Sequence, residues 1–360
     1  MKKLRIFLFA SCCCFLFVTW GSYNFTLQHA KQKREQKKVY SMKRQEHCKK
    51  LRSKYASVKD LKLGNTSVFT GEMKELMSCP WEVDGKRNNY YRAELHAMCN
   101  ATGKLILTRQ NTVLGQRIKY DGDRSTKVVD KSLLNMLPES MPWKTKGLYR
   151  SCSVVGNGGI LKNSSCGSKI DAADFVIRLN LAPITMKNDV GVKTNLITAN
   201  PTQIRRSYPN MKTHGKRLAY RMSLYRHAPL LLPAFAFRMC TSISYRVHQG
   251  LHALVPEQKV VFFNPHYLRM LDRYWRKKGQ RASRLSSGLM LASVAIELCD
   301  EVNLYGFWPF SFGLSGHKLT HHYYDNVGPR PGAHCMPKEF QELLKMHSQG
   351  VLNLHIGKCQ

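Results

Sequence analysis

Hydrophobic positions divide the chain into parts with different patterns. Residues 6–23 form an unbroken apolar run, whereas residues 24–75 are polar, rich in Lys and Gln, and without apolar periodicity. Residues 76–150 are mixed, and from residue 151 onward short apolar runs alternate with turn residues and helix-like stretches. The pattern therefore predicts an apolar segment, a polar connecting segment and a folded C-terminal part.

The apolar runs of the C-terminal part are typical of buried parallel strands, because most are continuous rather than alternating. Helical stretches between the runs predict helices on both faces of one sheet. The predicted fold is a Rossmann-like α/β domain with a largely parallel central sheet. The strand candidates are residues 152–155, 175–179, 195–198, 230–232, 259–263 and 301–305.

The first apolar run predicts a membrane-spanning helix. Its 18 residues carry no charge and would extend about 27 Å as a helix, close to the thickness of an early-secretory membrane. A cleaved signal peptide is the alternative, with Thr19 and Gly21 at the small-residue positions before the cleavage site. The predicted organisation is a cytoplasmic tail (1–5), a transmembrane signal anchor (6–23), a lumenal stem (24–75) and a single lumenal folded domain (76–360).

The charge balance narrows the choice of partner. Lys and Arg number 57 against 23 Asp and Glu, which gives a net charge of +34 and favours an anionic partner. The excess of basic residues in 31–54 opposes a lumenal domain, but the positive-inside rule is weak for large translocated domains. Glycosylation sequons at Asn24, Asn65, Asn100 and Asn163 favour the lumen. A lumenal location excludes nucleic acid.

The cysteines agree with an oxidising compartment. Nine of the 12 lie outside the first apolar run, and none of these forms a C-x-x-C pair, which excludes zinc-ribbon and thioredoxin-like readings. In the secretory lumen most would form disulfides, and an odd number leaves at least one thiol free or paired between chains.

Two segments carry groups that suit a phosphorylated ligand. Glycines in the Gly156–Gly159 turn allow close backbone approach, and Asn157 both donates and accepts hydrogen bonds. Ser286, Ser287 and Gly288 open an apolar helix whose free N–H groups attract anions. A tight turn and a capped helix without ligands are the alternatives. Trp308 stands just beyond a strand end, where ligands of open α/β sheets lie, although packing also explains a Trp there.

A histidine-rich segment near the C terminus offers acid–base groups. His321 and His322 begin the sequence His-His-Tyr-Tyr-Asp, and His334 and Glu339 follow. Imidazole removes a hydroxyl proton near neutral pH. The spacing differs from the H-E-x-x-H pattern of zinc enzymes, which favours acid–base chemistry over a metal site.

These residues fall in four ordered segments that resemble motifs of the animal sialyltransferase family, in particular its α-2,8 branch. Residues 152–201 resemble the large sialylmotif, and residues 284–310 resemble the small sialylmotif. Residues 322–325 are similar to the third motif, and His334 with Glu339 to the very small H-x₄-E motif. The departures are Leu179 for Cys and Ser287 for Thr, neither of which removes an essential group, and Cys335 for Ala, which adds a thiol beside His334.

The resemblance implies a GT-A-variant glycosyltransferase domain. The implied reaction transfers sialic acid from CMP-sialic acid, with inversion, to the 8-hydroxyl of a terminal sialic acid, and His334 is the implied base. No cofactor and no metal are expected, because helix dipole, amides and hydroxyls can stabilise the leaving phosphate. The implied donor-binding residues are Asn157, Asn180, Ser286, Ser287, Gly288, Trp308, His321 and His322.

The resemblance also implies disulfides and partners. The implied disulfides are Cys152–Cys299 and Cys166–Cys359, and Cys79–Cys99 is a further candidate. Expected partners are sialylated glycoprotein (O-glycan) or glycolipid acceptors and the Golgi membrane, and a homo-oligomer is left open. The basic segment of residues 269–284 is either an acceptor landing surface or a solvated helix face.

Two other functions stay open on the sequence. Asp121-Gly122-Asp123 is the D-x-D that holds a divalent cation in many glycosyltransferases, so a metal-dependent Golgi enzyme of another family is one alternative. The segment precedes the first nucleotide-binding strand, however, which favours a polar turn. A non-catalytic lumenal glycan-binding protein is the second alternative.

Overall fold

The computed structural model describes residue 28 and residues 31–61, 64–143, 146–328 and 334–359. The predicted tail (1–5) and signal anchor (6–23) lie outside the described residues. The chain divides into one unit of residues 1–53, helical from residue 31, and a second unit of Lys54–Gln360. Among the described residues, no helix is long and apolar enough to span a membrane.

A parallel sheet of seven strands confirms the predicted α/β class. The strand order is β7-β6-β5-β4-β3-β8-β9, and every neighbouring pair runs parallel. A separate antiparallel pair, β1 with β2, precedes it. The strands are β1 Arg117–Lys119, β2 Thr126–Val128, β3 Tyr149–Val155, β4 Phe175–Arg178, β5 Leu196–Thr198, β6 Leu230–Leu232, β7 Val260–Phe262, β8 Cys299–Tyr305 and β9 Asn353–His355.

Helices pack around the sheet. In α11 (Ser287–Leu298), ten of the twelve residues are buried and the other two are half-buried, so the helix is covered on every face, which explains its continuous apolar sequence. The helices are α1 Thr66–Ser78, α2 Gly85–Met98, α3 Ala101–Lys104, α4 Lys131–Met136, α5 Gly167–Asp171, α6 Lys187–Val190, α7 Pro201–Ser207, α8 Met211–Leu224, α9 Arg238–Leu254, α10 Pro265–Lys277, α11 Ser287–Leu298 and α12 Met336–Ser348.

The strand order creates a switch point between β3 and β8. From β3 the chain proceeds outward through β4, β5, β6 and β7, and then returns to the other side of β3 to form β8. Loops after β3 and β8 therefore diverge at the carboxyl edge of the sheet, which is where open α/β sheets bind ligands. The glycine turn follows β3, and Trp308 and the histidine-rich segment follow β8.

The second unit begins before the predicted domain boundary at residue 76. Its first residues, 54–61, lie against α12: the Gln341 side chain donates to the Lys59 carbonyl at 2.7 Å and accepts from the Leu61 N–H at 3.0 Å. The side chain of Gln349 donates to the Ala56 carbonyl at 3.0 Å. Part of the predicted stem thus packs on the helix that carries Glu339.

Both disulfides implied for the sheet region are present. Cys152–Cys299 links β3 to the start of β8, and Cys166–Cys359 links the start of α5 to the chain end. The Cys79–Cys99 pairing is wrong, because Cys99 is a buried free thiol and Cys79 belongs to another disulfide. The 14-residue helix α2 lies between them and holds its ends about 21 Å apart.

Candidate active site

The glycine turn, residues 156–159, joins the ends of β3 and β8 by backbone contacts. The Gly156 N–H donates to the Tyr305 carbonyl at 2.7 Å, and the Gly158 N–H donates to the Gly306 carbonyl at 3.0 Å. A Cβ atom at Gly158 would lie 2.5 Å from the Gly306 oxygen, so a side chain there does not fit. The turn presents bare backbone at the switch point.

Residues 320–326, here called the strap, lie across the glycine turn. The Gly159 N–H donates to the His321 carbonyl at 3.3 Å, and the Tyr323 N–H donates to the Asn157 carbonyl at 2.9 Å. A Cβ atom at Gly159 would lie 2.1 Å from the Thr320 oxygen. The glycine turn therefore holds two histidines beside the switch point, although they lie far from it in sequence.

Two asparagines follow neighbouring strands at this edge. The Asn157 amide donates to the Leu179 carbonyl at 3.4 Å, while its buried Oδ1 makes no hydrogen bond with any described residue. Asn180 adopts left-handed backbone geometry with φ 56°, and its Oδ1 accepts from the Asn200 N–H at 3.1 Å. The structure brings both predicted donor-binding asparagines together and leaves one buried acceptor without a protein partner.

The amino end of α11 separates its two serines by role. Ser286 is the N-cap: its Oγ accepts from the Leu289 N–H at 3.1 Å, and its own O–H donates to the Glu339 carboxylate. The Ser286 N–H also donates to Glu339, at 2.8 Å. The Ser287 and Gly288 N–H groups have no hydrogen-bond partner among the described residues. The polar groups of Ser286 thus all bond within the protein, whereas the backbone N–H groups of Ser287 and Gly288 can bind an anion.

Glu339 fixes Ser286, the N-cap residue of this helix, whereas the His334 ring is oriented by another group. Its side chain is buried, and burial raises the pKa of its carboxyl above the usual value, while the bonds from Ser286 and the nearby His334 act to lower it. His334 Nδ1 lies 3.1 Å from the Arg284 carbonyl. Because a carbonyl only accepts, Nδ1 carries the hydrogen of the neutral ring and Nε2 keeps its lone pair. The sequence motif indicated both residues but not this division of roles.

The strap contains a His–Asp pair. His322 Nδ1 lies 2.7 Å from Asp325 Oδ1, and the ring stacks on Tyr324 with centroids 5.0 Å apart. Burial acts to raise the pKa of Asp325, but hydrogen bonds from Val327 and His322 hold it below its usual value. The pKa of the exposed His321 is lowered by partial burial and by the adjacent His322. The Asp325 carboxylate therefore orients the His322 ring through this hydrogen bond.

Trp308 packs in an aromatic cluster. It is 5% exposed, its ring stacks on Phe69 and contacts Phe310 and Phe340, and its indole N–H donates to the Phe312 carbonyl at 2.6 Å. Phe307 lies closer to the amino end of α11, since a Cβ atom at Gly288 would lie 2.9 Å from its ring. The sequence analysis selected Trp308 rather than the adjacent Phe307, because the Gly-Phe-Trp sequence does not indicate which of the two rings lies nearer to the amino end of α11.

Both carboxylates of the Asp121-Gly122-Asp123 segment interact with other groups of the protein. Asp123 accepts from the Ser125 N–H at 2.8 Å and from the Arg238 N–H, at the start of α9, at 3.2 Å. Asp121 lies 3.9 Å from the Arg284 guanidinium. Within the described ranges, no cluster of three or more His, Cys, Asp or Glu is placed to hold a metal ion. The geometry agrees with a polar turn.

In the basic segment of residues 269–284, some cations have partners within the protein and others are exposed. Arg269 donates to the Lys119 carbonyl at 2.7 Å, Arg276 pairs with Asp272 at 2.6 Å, and Lys278 pairs with Glu94 at 2.7 Å. The exposed side chains include Arg273, Lys277 and Arg281. Only part of this segment thus has charge directed to solvent, and its role in acceptor binding stays a prediction.

The predicted glycosylation sites lie at or near the surface. Asn65 and Asn163 are exposed and Asn100 is partly exposed. Asn65 Oδ1 caps α1, and Asn100 Oδ1 caps α3. Occupancy at all three sites stays a prediction.

Comparison with known proteins gives a consistent result. Residues 106–351 match the family model described as Glycosyltransferase family 29 (sialyltransferase). "Alpha-2,8-sialyltransferase 8F" of Mus musculus is 44% identical over 288 residues, 79% of this chain and 72% of that protein. "Alpha-2,8-sialyltransferase 8E" of Homo sapiens is 42% identical over 315 residues, 87% of this chain and 84% of that protein. A solved mammalian sialyltransferase aligns with 83% of this chain and 88% of its own, at 19% identity and a TM-score of 0.40.

Proposed function

Because the chain belongs to glycosyltransferase family 29, the sialyltransferases, we propose that it is an α-2,8-sialyltransferase. It transfers sialic acid from CMP-sialic acid, with inversion, to the 8-hydroxyl of a terminal sialic acid on a glycoprotein O-glycan or a glycolipid. The observation that carries this function is the family match over residues 106–351, which includes the glycine turn, the amino end of α11, the strap and His334. The α-2,8 linkage is supported by the names of the most similar relatives.

The amino end of α11 suits the leaving phosphate. Departure of CMP concentrates negative charge on the phosphate and leaves an oxocarbenium-like sugar. The free N–H groups of Ser287 and Gly288 and the positive end of a 12-residue helix are fixed before reaction and favour that charge. Ser286 and Glu339 hold the helix end in place, so that little reorganisation accompanies bond breaking.

The asparagines suit the nucleotide. The glycine turn allows close approach of a ligand to the backbone, and Asn157 Oδ1 is a buried acceptor that a donor group of CMP can satisfy. Asn180 lies after the next strand, β4, and also faces the carboxyl edge of the sheet. These groups support a binding position for the CMP part at the carboxyl ends of β3 and β4.

The two orienting hydrogen bonds support different histidine roles. His334 Nε2 keeps its lone pair in the neutral ring, so His334 is the proposed base for the acceptor 8-hydroxyl. His322 is held at Nδ1 by Asp325, which leaves its Nε2 for another partner, and it is proposed to donate a hydrogen bond to the leaving phosphate. His321 supports the same part of the strap.

Product analysis tests the reaction. The purified full-length protein is incubated with CMP-sialic acid and a panel of sialylated O-glycan, N-glycan and ganglioside acceptors, and CMP release and the new linkage are measured. We expect one or a few α-2,8-linked residues on O-glycan or glycolipid acceptors. Addition to an unsialylated galactose, or long polysialic acid, would contradict the proposed specificity. Glycan binding without CMP release would favour the non-catalytic alternative.

We also propose that transfer needs no metal ion. The supporting observation is that Asp123 caps α9 and Asp121 faces Arg284, so both carboxylates already have protein partners. Transfer should continue in excess EDTA at an undiminished rate. Loss of activity that Mn²⁺ restores would favour the metal-dependent alternative.

The proposed location is the Golgi membrane, as a single-pass type II protein with a lumenal catalytic domain. The apolar run of residues 6–23, the exposed sequons at Asn65 and Asn163, and the two disulfides support it. In sealed Golgi vesicles, protease should leave the domain intact, and glycosidase treatment of the denatured protein should lower its mass. Digestion without detergent would contradict this topology.

A further inference from the structure

Residues 190–256 form a basic surface, most of which lies between the segments that resemble the large and the small sialylmotifs. This stretch contains ten Lys or Arg and no Asp or Glu, and it builds α7, β6, α8 and α9. Several of its cations are exposed, including Arg205, Arg206, Lys212 and Lys216. Because the stretch has no carboxylate of its own, its surface keeps a positive potential that attracts anions.

The carboxyl end of α7 lies next to the strap. The bond between Asn180 and the Asn200 N–H fixes the start of α7 at the carboxyl edge of the sheet. Tyr208, which follows α7, belongs to the same buried cluster as Tyr323 of the strap and Tyr225. The Tyr225 O–H donates to the Ala182 carbonyl at 2.6 Å. These contacts bring one end of the basic surface to the candidate active site.

Of the two arginines near the carboxyl end of α7, Arg206 acts on the strap. Burial raises the pKa of the Tyr324 hydroxyl to about 12 and acts to raise that of the Asp325 carboxyl, while the charge of Arg206 acts to lower the pKa of both groups. The adjacent Arg205 acts instead on the thiol of Cys240 in α9. Both arginines are exposed, and neither forms an ion pair with a described residue. Arg206 is therefore a solvent-directed guanidinium at the edge of the site.

An acceptor that ends in sialic acid carries its carboxylate on the same sugar as the reacting 8-hydroxyl. A guanidinium fork binds a carboxylate through two parallel hydrogen bonds, which fixes both position and orientation. The donor phosphate is assigned to the amino end of α11, whereas Arg206 belongs to α7, which begins beside Asn180 and is followed by Tyr208 of the cluster that contains Tyr323. Arg206 thus offers a guanidinium to the carboxylate of an acceptor that approaches the strap.

We propose that Arg206 determines acceptor specificity by binding the carboxylate of the acceptor's terminal sialic acid. This inference rests on the proposed function, because it assigns a contact to that acceptor. Arg206 acts on binding and orientation of the acceptor and takes no part in proton transfer.

The test measures acceptor and donor kinetics of the full-length protein. Arg206→Ala should raise the KM for a sialylated acceptor by about 10- to 100-fold, as for loss of a charge-assisted pair, while the donor KM and the slow hydrolysis of CMP-sialic acid stay unchanged. Arg205→Ala is the matched control, since it removes the same charge from the same helix, and its acceptor KM should stay within about twofold of the wild type because only long-range attraction changes. Arg206→Lys should recover part of the affinity.

A chemically altered acceptor isolates the contact. Conversion of the acceptor carboxylate to its methyl ester should weaken binding to the wild type by a similar factor and leave Arg206→Ala unaffected, so the two changes are not additive. Equal losses in Arg205→Ala and Arg206→Ala would overturn the inference, as would an increase confined to the donor KM, which would assign Arg206 to the donor carboxylate. If the wild type transfers to no sialylated acceptor, the proposed function itself fails and this inference with it. Thermal unfolding midpoints of the variants identify any loss that is due to misfolding.

Discussion

The amino end of α11 and the strap meet at one edge of the sheet but differ in how they are held. Ser286, Gly288 and Glu339 are buried, and hydrogen bonds join Ser286 to Glu339, whereas His321 is exposed and His322 and Asp325 are partly exposed. The difference fits two chemical tasks. Groups that stabilise charge work best when they are fixed beforehand, whereas the histidines of the strap must remain accessible to a substrate that enters from solvent.

The largest effect on activity should come from substitution of the proposed base, His334. His334→Ala removes the proposed base and should lower turnover by about 10²- to 10⁴-fold, while CMP binding changes little because the amino end of α11 is intact. Steady-state kinetics and CMP titration check this. His322→Ala is the comparison: it should weaken support of the leaving phosphate. If His334→Ala kept near-normal turnover while His322→Ala lost it, the base would be His322.

A second change tests whether the strap depends on the glycine turn. Gly159→Ala would place a Cβ atom 2.1 Å from the Thr320 carbonyl oxygen, so the strap must move. We expect a loss of about 1–3 kcal/mol in the free energy of unfolding and a turnover decrease of at least about tenfold, because misplaced groups lose catalytic efficiency.

Gly71→Ala is the control for this substitution. A Cβ atom at Gly71, in α1, would meet no atom within 4 Å, and alanine in a helix should leave stability equal or raise it by about 0.5–1 kcal/mol. Chemical denaturation of both variants measures the contrast. Normal activity in Gly159→Ala would show that the strap tolerates displacement.

A smaller effect should follow a change in the donor side. Ser287→Val removes a hydroxyl at the first turn of α11 but keeps its backbone N–H group, so the donor KM should rise by about tenfold with a much smaller change in turnover. Ser287→Thr, the residue that stands here in the resembling family, should keep a donor KM close to that of the wild type. An unchanged donor KM in Ser287→Val would remove Ser287 from the donor site.

The smallest effect on activity should come from the far end of α11. Glu297 accepts from the Ala101 N–H at 2.8 Å, and burial raises the pKa of its carboxyl from 4.5 to about 7. Folding therefore favours the protonated carboxyl, and the stabilisation present below pH 4.5 is lost as the pH rises through about 7. This loss amounts to about 3 kcal/mol.

Glu297→Gln tests this sign. Its free energy of unfolding should fall less than that of the wild type between pH 5 and pH 8, and turnover should be unchanged because Glu297 lies outside the site. His96 Nδ1 lies 3.6 Å from the Glu297 carboxylate. A second variant, His96→Gln, therefore measures how much this neighbouring ring contributes to the pH dependence. An equal pH dependence in Glu297→Gln and the wild type would show that Glu297 ionises normally.

The strands illustrate what sequence pattern can and cannot indicate. The buried strands β4 to β7 carry continuous apolar runs, and the predictions at 175–179, 195–198, 230–232 and 259–263 overlap them. Strand β9 was missed, because its three residues place Asn353 and His355 on either side of one buried Leu. It becomes a strand by pairing with β8, and such a partner has no signature in the local sequence.

The sequence by itself determined the α/β class, the cysteines that link β3 to β8, and the residue types at the site, because each follows from local periodicity or from motif identity. Only the tertiary structure decided which of these residues share a contact. The pairing of Ser286 with Glu339, 53 residues apart, assigns both to holding the helix end and leaves Ser287 and Gly288 for a ligand. The burial of Trp308 and the position of Arg206 beside the strap were likewise decided by packing, since the exposure of a side chain depends on elements that are distant in the chain.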